Sequence, residues 1–316
     1  PPATTRAEFA EELKPLWLQA LGRPESELQR MAADTIALAH RSGMKGLEDT
    51  ADKLIAVFQK ENLEPTVRNA VARALVTLDA EQATEAFGAA MNSGSNEMEM
   101  IVEPALANWG YTPDRENWRR RLDNPATERA RLLLAIKCLG TVKDADASAA
   151  ILKRVTDANG ELPTRLAAAR AAAAINGDGL METATELATR ETDQPAANLL
   201  ATTLLTSQTS DPAVSILKSM AASGSPVISG LALRRLFEID PTNVYEFSET
   251  SIRSRDANVR RVGCEALVQE ANANSVALLG TMLDDANPGL RYYVSQSLIE
   301  LAEREALNED VIQASM

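Results

Sequence analysis

One residue pattern returns nine times along this chain. An anchor residue, often Arg, is followed at three and six residues by small or aliphatic side chains, at seven by a larger aliphatic one, and at ten by an apolar one. The copy that begins at Arg68 continues with Val71, Ala74, Leu75 and Leu78. The anchors are residues 29, 68, 99, 129, 165, 198, 229, 260 and 291, so successive anchors lie 30 to 39 residues apart. A repeat of this length is typical of stacked solenoid proteins rather than of a closed globule.

Each copy of the pattern predicts a helix that begins near its anchor, because the apolar positions recur with the spacing of one helix face. A further helix is predicted between each patterned helix and the next. Turn residues such as Asn159-Gly160 separate the helices. Pro often opens the patterned helix, as at Pro65, because its fixed φ suits a first turn. Each repeat is therefore expected to be a pair of helices.

The repeats run through almost the whole chain, and strand signals are nearly absent. The predicted fold class is all-α, a right-handed superhelical α-solenoid of about nine helix pairs. Residues 1–316 are expected to form a single array, with terminal caps at 1–24 and 303–316. Aromatic residues make up only 4% of the chain, and alanine fills much of the predicted core, which lets helices approach closely.

Three copies of the pattern carry a family resemblance. The phrase Pro65-Thr-Val-Arg68-x-x-Val-x-x-Ala74-Leu75 resembles the second helix of a HEAT repeat, and the stretches that lead to Arg260 and Arg291 do so as well. The short period resembles the variant found in phycobilin-lyase-like HEAT proteins. The resemblance implies a HEAT-like fold for almost the whole chain and leaves the function open, since this fold hosts many unrelated roles.

The anchor arginines have two interpretations. In the family that the chain resembles, such residues commonly tie neighbouring repeats together through aspartates, and buried charges persist mostly when they are paired. The alternative is a basic ladder that binds an anionic ligand. Aspartates in loops suited to the first interpretation are Asp123, Asp193, Asp256 and Asp285.

The charge balance narrows the class of partner. The chain has 32 Lys and Arg against 45 Asp and Glu, a formal net charge of −13. General binding to nucleic acid or to an anionic membrane needs a basic surface, so neither partner is expected. No stretch reaches the roughly 18 consecutive apolar residues of a membrane span.

The sequence predicts no catalytic residue, no metal site and no cofactor. His40 is the only histidine, and it stands near the end of a predicted helix before Gly43, where a cationic side chain is favourable. One His and no Cys-x-x-Cys pair cannot assemble a typical zinc or di-iron site. Cys138 and Cys264 lie about four repeats apart, too far for a disulfide, and are predicted to be buried and reduced.

The termini suggest a processed chain or a segment of a longer one, since the sequence starts at Pro1 and ends at Met316. The compartment is left open between the cytoplasm and export from a bacterium.

The exposed face of the patterned helices is the first candidate binding surface. Positions one and five residues after each anchor outline it, and in a solenoid this concave face is where partners usually bind. A plain solvated face is the alternative interpretation. The candidate partner-binding residues on this face are Asp34, Arg73, Arg170, Arg234, Arg261 and Tyr292.

A second candidate patch lies in the segment from Trp109 to Arg121, which holds two of the three Trp and four Arg. Trp109 occupies a core position of the repeat pattern. Trp118, Arg119 and Arg120 fall on a first helix and are predicted to face outward. Trp and Arg are enriched at interface hot spots, so these three are candidate partner-binding residues.

The function predicted from these features is that of a non-enzymatic scaffold. Its partner is another protein or another domain of the parent chain, and the chain itself is expected to be a monomer. A lyase or chaperone for a cofactor-bearing protein is an alternative that follows from the resemblance. A DNA-repair-type nucleic-acid binder is a second alternative, disfavoured by the acidic charge.

Overall fold

A computed structural model describes residues 9–91, 95–111, 113–190 and 194–314 of the chain. These residues form α-helices, short 3₁₀ turns and connecting loops, with no strand among them. The eighteen α-helices are α1 Leu13–Leu21, α2 Ser26–Arg41, α3 Ala51–Phe58, α4 Pro65–Thr77, α5 Thr84–Met91, α6 Asn96–Asn108, α7 Arg115–Asp123, α8 Arg129–Thr141, α9 Ser148–Thr156, α10 Leu162–Ile175, α11 Leu180–Ala188, α12 Gln194–Leu204, α13 Asp211–Ala221, α14 Pro226–Ile239, α15 Ser248–Ser251, α16 Ala257–Glu270, α17 Ala273–Thr281 and α18 Pro288–Ala314.

Helix pairs are the building units, as the spacing predicts. Every anchor lies in an even-numbered helix, and an odd-numbered helix precedes each one. Residues 1–151 and 152–316 form two compact units, and the division falls within α9. In the first unit, α1 packs on α2, α3 on α4, α5 on α6 and α7 on α8, while α2, α4, α6 and α8 pack on one another in succession.

The second unit repeats this arrangement. Helices α11, α13, α15 and α17 each pack on the even-numbered helix that follows, and α10, α12, α14, α16 and α18 pack in succession. The prediction of an all-α solenoid of HEAT-like helix pairs is confirmed. A single array over residues 1–316, with terminal caps, stays a prediction.

Several first helices begin with a 3₁₀ turn rather than with α-helix. Asp144 and Asp240 cause two of these entries, because their carboxylates accept hydrogen bonds from the backbone N–H groups of Asp146 and Thr242. The longest 3₁₀ segment, Pro241–Phe247, leaves only four residues for α15. The first helix of the eighth pair is therefore unusually short.

The anchor side chains donate hydrogen bonds to backbone carbonyls at the end of the first helix of their own pair or in the turn that follows it. Arg68 donates from Nη2 to the carbonyl of Lys60, and Arg165 donates from Nε to that of Val155 at 2.9 Å. Carbonyls at the end of a helix lack partners within the helix, so the anchors satisfy them. The other anchors that donate to carbonyls in this way are Gln29, Ser229, Arg260 and Arg291.

A contact through aspartate, of the kind that the family resemblance implies, occurs at Arg260. Arg260 forms a bidentate ion pair with Asp285 of the next pair, with N–O distances of 2.7 and 2.8 Å. Asp256 instead caps the start of α16, Asp123 is exposed, and Asp193 lies outside the described residues. At Arg260 the carbonyl contacts and the aspartate bridge occur together.

We expect Arg260→Ala to lower the free energy of unfolding by about 3 kcal/mol, because it leaves the nearly buried Asp285 carboxylate unpaired. Arg255→Ala, at an exposed position of the same loop, should change it by less than about 0.5 kcal/mol. Urea unfolding of the two variants measures the difference. Equal losses would mean that the ion pair has no stabilising role.

Candidate partner-binding surface

Asp34 and Arg73 meet on the second helices of the first unit. Arg73 on α4 lies 4.0 Å from Asp34 on α2 and 3.6 Å from Glu97 on α6, and Arg30 pairs with Asp34 at 2.9 Å. The charges therefore form a chain across three successive helices. Its members are largely solvent-exposed, so each pair contributes no more than about 1 kcal/mol. This series of ion pairs fixes the positions of the charged groups more than it stabilises the fold.

Arg234 and Arg261 meet on the second helices of the second unit. A single carboxylate, that of Glu265 on α16, pairs with Arg234 of α14 at 2.6 Å and with Arg261 at 2.7 Å. The Arg261 guanidinium also lies 3.8 Å from the ring centroid of Tyr293 on α18, a cation–π contact. The three helices are thus joined by one polar cluster, in which two arginines share one negative charge.

Exposed apolar side chains lie on two of the helices that form this cluster, α14 and α18. Tyr292 is 69% exposed and Val227 is 61% exposed. Val227 lies two helical turns before Arg234, so these two residues share one face of α14. Ile299 lies two turns after Tyr292, so these two share one face of α18. We call this surface the α14–α18 face. Its members are Val227, Leu231, Arg234, Arg261, Tyr292 and Ile299.

Two further residues bear on the sequence prediction for this surface. Arg170 is exposed on α10, and no hydrogen bond or ion pair joins it to the α14–α18 face within the described residues. Glu265, which holds the cluster together, was not predicted as a site residue. Its spacing of four residues from Arg261 on one helix is the signal that could have identified it.

The prediction for Trp118 is wrong. Its side chain is completely buried, and its Nε1 donates to the Glu103 carboxylate at 3.1 Å. The prediction assumed that a first helix faces outward, but α7 also has a face that packs on its neighbours, and Trp118 lies on that face. Arg119 is tied to Asp144 at 2.7 Å, whereas Arg120 is exposed on the other side of α7. Of the three predicted residues, Arg120 alone presents an exposed side chain.

A buried ionic network takes the place of the predicted patch. Glu103, fully buried on α6, accepts hydrogen bonds from Trp118 and from Nη1 of Arg121 at 2.7 and 2.9 Å. Glu99 pairs with Arg121 at 3.1 Å and with Arg131 of α8 at 2.8 Å. The network therefore joins α6, α7 and α8. Glu99 stands at an anchor position, where its charge is the reverse of the usual Arg.

Burial raises the pKa of Glu103 to about 7, although the Arg121 guanidinium beside it acts in the opposite direction. Burial also raises the pKa of Asp114, the residue before α7. The described side chains of α6, α7 and α8 thus hold a carboxyl whose protonation changes near neutral pH. Such a group makes folding stability depend on pH.

We expect Glu103→Gln to gain stability relative to wild type as the pH is raised from about 5 to about 8. A carboxyl whose pKa is higher in the folded state stabilises the fold fully below its unfolded value, near 4.5, and this contribution is lost as the pH rises to about 7. The change is about 1.4 kcal/mol for each unit of pKa difference. Urea unfolding across this range measures it.

Glu85→Gln, at an exposed carboxyl of α5, is the matched control and should follow the wild-type pH dependence. If Glu103→Gln also follows it, the Glu103 carboxyl does not change its protonation state in this range.

We expect Trp118→Ala to lower the free energy of unfolding by about 3 to 5 kcal/mol, as for other large buried aromatic residues. Arg120→Ala should change it by less than about 0.5 kcal/mol. Thermal and urea unfolding of the two variants distinguish a packing role from a surface role. A Trp118→Ala protein as stable as wild type would contradict the buried placement.

The described residues contain no group of three or more His, Cys, Asp or Glu side chains placed to hold a metal ion. Cys138 and Cys264 are buried and unbonded, and burial raises the pKa of each thiol to about 12. Among the described helices, none combines the length and the apolar character that a bilayer span requires.

Neither a protein-family model nor a curated protein matches the chain. Among solved structures, human deoxyhypusine hydroxylase in complex with glycerol is 14% identical over 81% of this chain and 97% of that chain, with a TM-score of 0.33. A karyopherin bound to the extreme C-terminus of a protein phosphatase is 10% identical over 93% of this chain and 38% of that chain, with a TM-score of 0.40.

The complex of CpcE and CpcF of phycocyanin lyase from Nostoc is 17% identical, over 95% of this chain and 97% of that chain, with a TM-score of 0.26. TM-scores of 0.40 or lower carry no argument about what this chain does. The chain has a HEAT-like fold, which is defined by its succession of helix pairs.

Proposed function

We propose that the chain is a non-enzymatic scaffold that binds another protein, or another domain of a longer parent chain, through the α14–α18 face. One observation carries the proposal: exposed apolar side chains lie on two of the three helices that an arginine cluster spans. Tyr and Arg are enriched among the residues that dominate interface energetics. A face with this composition is suited to a partner that offers apolar groups and at least one acidic group.

The cluster also supports the proposal through its rigidity. Glu265 holds Arg234 and Arg261 in fixed positions, and Tyr293 supports the Arg261 guanidinium from a third helix. Side chains that are ordered before binding lose little conformational entropy when a partner docks. The long side chains of this face therefore need little rearrangement to form an interface.

The charge of the chain supports a protein partner over a polyanion. With a net charge of −13, the molecule repels nucleic acid and anionic lipid at long range. Within the cluster of Arg234, Arg261 and Glu265, two arginines share one carboxylate, so the cluster itself carries one net positive charge. An acidic group on a protein partner can pair with these arginines even though the surface of this chain is not basic in general.

We expect Val227→Glu combined with Tyr292→Glu to abolish partner binding without lowering the melting temperature, because both side chains project into solvent. Wild-type and variant chains are immobilised, exposed to lysate of the source organism, and the retained proteins are quantified by mass spectrometry. A partner should be retained by wild type and reduced at least about tenfold on the variant, a change of about 1.4 kcal/mol or more.

The control is Val276→Glu combined with Leu283→Glu, which makes the same apolar-to-acidic change at exposed positions of α17 and the turn after it. It should retain the partner like wild type. If the two double variants lose the same proteins to the same extent, the α14–α18 face is not the binding surface.

A further inference from the structure

A cavity of about 440 Å³ lies between the seventh and eighth helix pairs, within the second unit. The turn between α13 and α14 forms one side, and the short α15 with the 3₁₀ segment before it forms the other. The residues of its lining that matter here are Ser223, Ser229, Glu246, Phe247, Ser254 and Val259.

The anchor of the seventh pair is small. In the second pair, Arg68 enters the equivalent crevice, donates to the Lys60 carbonyl and lines two separate pockets of about 180 and 410 Å³. In the seventh pair the anchor is Ser229, whose hydroxyl reaches only the Ala221 carbonyl, at 2.8 Å. The arginine anchor thus lies between two pockets, whereas beside Ser229 the space is one continuous cavity with room for a longer side chain.

The carbonyls that an arginine anchor would meet are still present in the seventh pair. Arg260 and Arg291 donate to carbonyls five and six residues before them, and Arg68 donates to those seven and eight residues before it. The same offsets from Ser229 fall on residues 221–224, all of which line the cavity. In the described part of the chain no donor reaches the carbonyl oxygen of Ala222.

Other groups of the lining suit a planar cation. The Ser223 hydroxyl is buried and has no hydrogen-bond partner among the described residues. Glu246 brings a carboxylate, paired with Lys218 at 2.8 Å and more than half exposed, and Phe247 brings an aromatic ring. A guanidinium group can bind all of these groups at once, since it donates several hydrogen bonds in one plane and stacks on aromatic rings.

We propose that this cavity binds the side chain of an arginine supplied by a partner polypeptide, whose guanidinium takes the place of the missing anchor. The proposal rests on the proposed function only in that the arginine belongs to a bound protein. Lysine is a poorer occupant, because its ammonium is a point charge that cannot span several carbonyls in a plane. The site thus selects a partner with an exposed arginine.

The test uses N-acetyl-arginine amide as the probe, titrated into the full chain and followed by calorimetry and by NMR shifts of residues around the cavity. The citrulline and lysine analogues are titrated in parallel. We expect the arginine probe to bind at least about tenfold more tightly than either analogue. An equal response to all three probes, or none to arginine at millimolar concentration, would overturn the proposal.

Substitutions locate the probe. Ser229→Arg supplies the anchor from within the chain, so it should abolish probe binding while the melting temperature stays at or above that of wild type. Glu246→Gln removes the carboxylate and should weaken the probe about tenfold. Glu249→Gln is the matched control, because Glu249 is exposed nearby, pairs with Arg253 and is not part of the lining.

If Ser229→Arg binds the probe as wild type does, the arginine site is not this cavity. If Ser229→Arg does not fold, the comparison of Glu246→Gln with Glu249→Gln decides, and equal affinity in those two variants overturns the proposal. These outcomes are independent of partner capture by the α14–α18 face, so each proposal can fail without the other.

Discussion

The structure depends on one contact that recurs in most of its helix pairs. In these pairs the anchor near the start of the second helix reaches back to backbone carbonyls at the end of the first helix or in the turn that follows it. Arg68, Arg165 and Arg291 show the contact in its common form. Helix ends leave such carbonyls without partners, and burying them unpaired costs free energy. The anchor therefore lets two short helices pack closely with their polar ends satisfied, and the apolar pattern that follows it packs the pair on its neighbours.

Changes at the anchor position account for the unusual features of both units. At Glu99 the charge of the anchor is reversed, and Glu99 pairs with Arg121 and Arg131 in a buried network. The same network contains Glu103, whose pKa is raised to about 7. At Ser229 the side chain is shorter, and an open cavity with unpaired acceptors lies beside it. The anchor contact is thus common to the helix pairs, and the pairs in which the anchor residue differs carry the buried ionic network and the cavity. The proposed binding functions follow from such departures and from the exposed face of α14, α16 and α18.

The sequence predicted the architecture well because the repeat pattern is carried by core residues. It placed a second helix at every anchor and a further helix between successive anchors, but it did not indicate that α15 has only four residues. It failed at Trp118 because a first helix has no pattern that marks its inward face. Ser229 stands at an anchor position that Arg occupies in other copies of the pattern, but only its described neighbours reveal the cavity beside it. Glu103 carries no signal in the sequence, since its burial arises from packing between helices.

The most direct test of the anchor's role is a crystal structure of the Ser229→Arg protein. The account predicts that the new guanidinium donates to carbonyls of the α13–α14 turn, residues 221–224, and occupies part of the cavity, as Arg68 does in its own pair. A side chain that instead extends into solvent, with the cavity still open and the turn unchanged, would show that the anchor contact does not determine how these helix pairs are built.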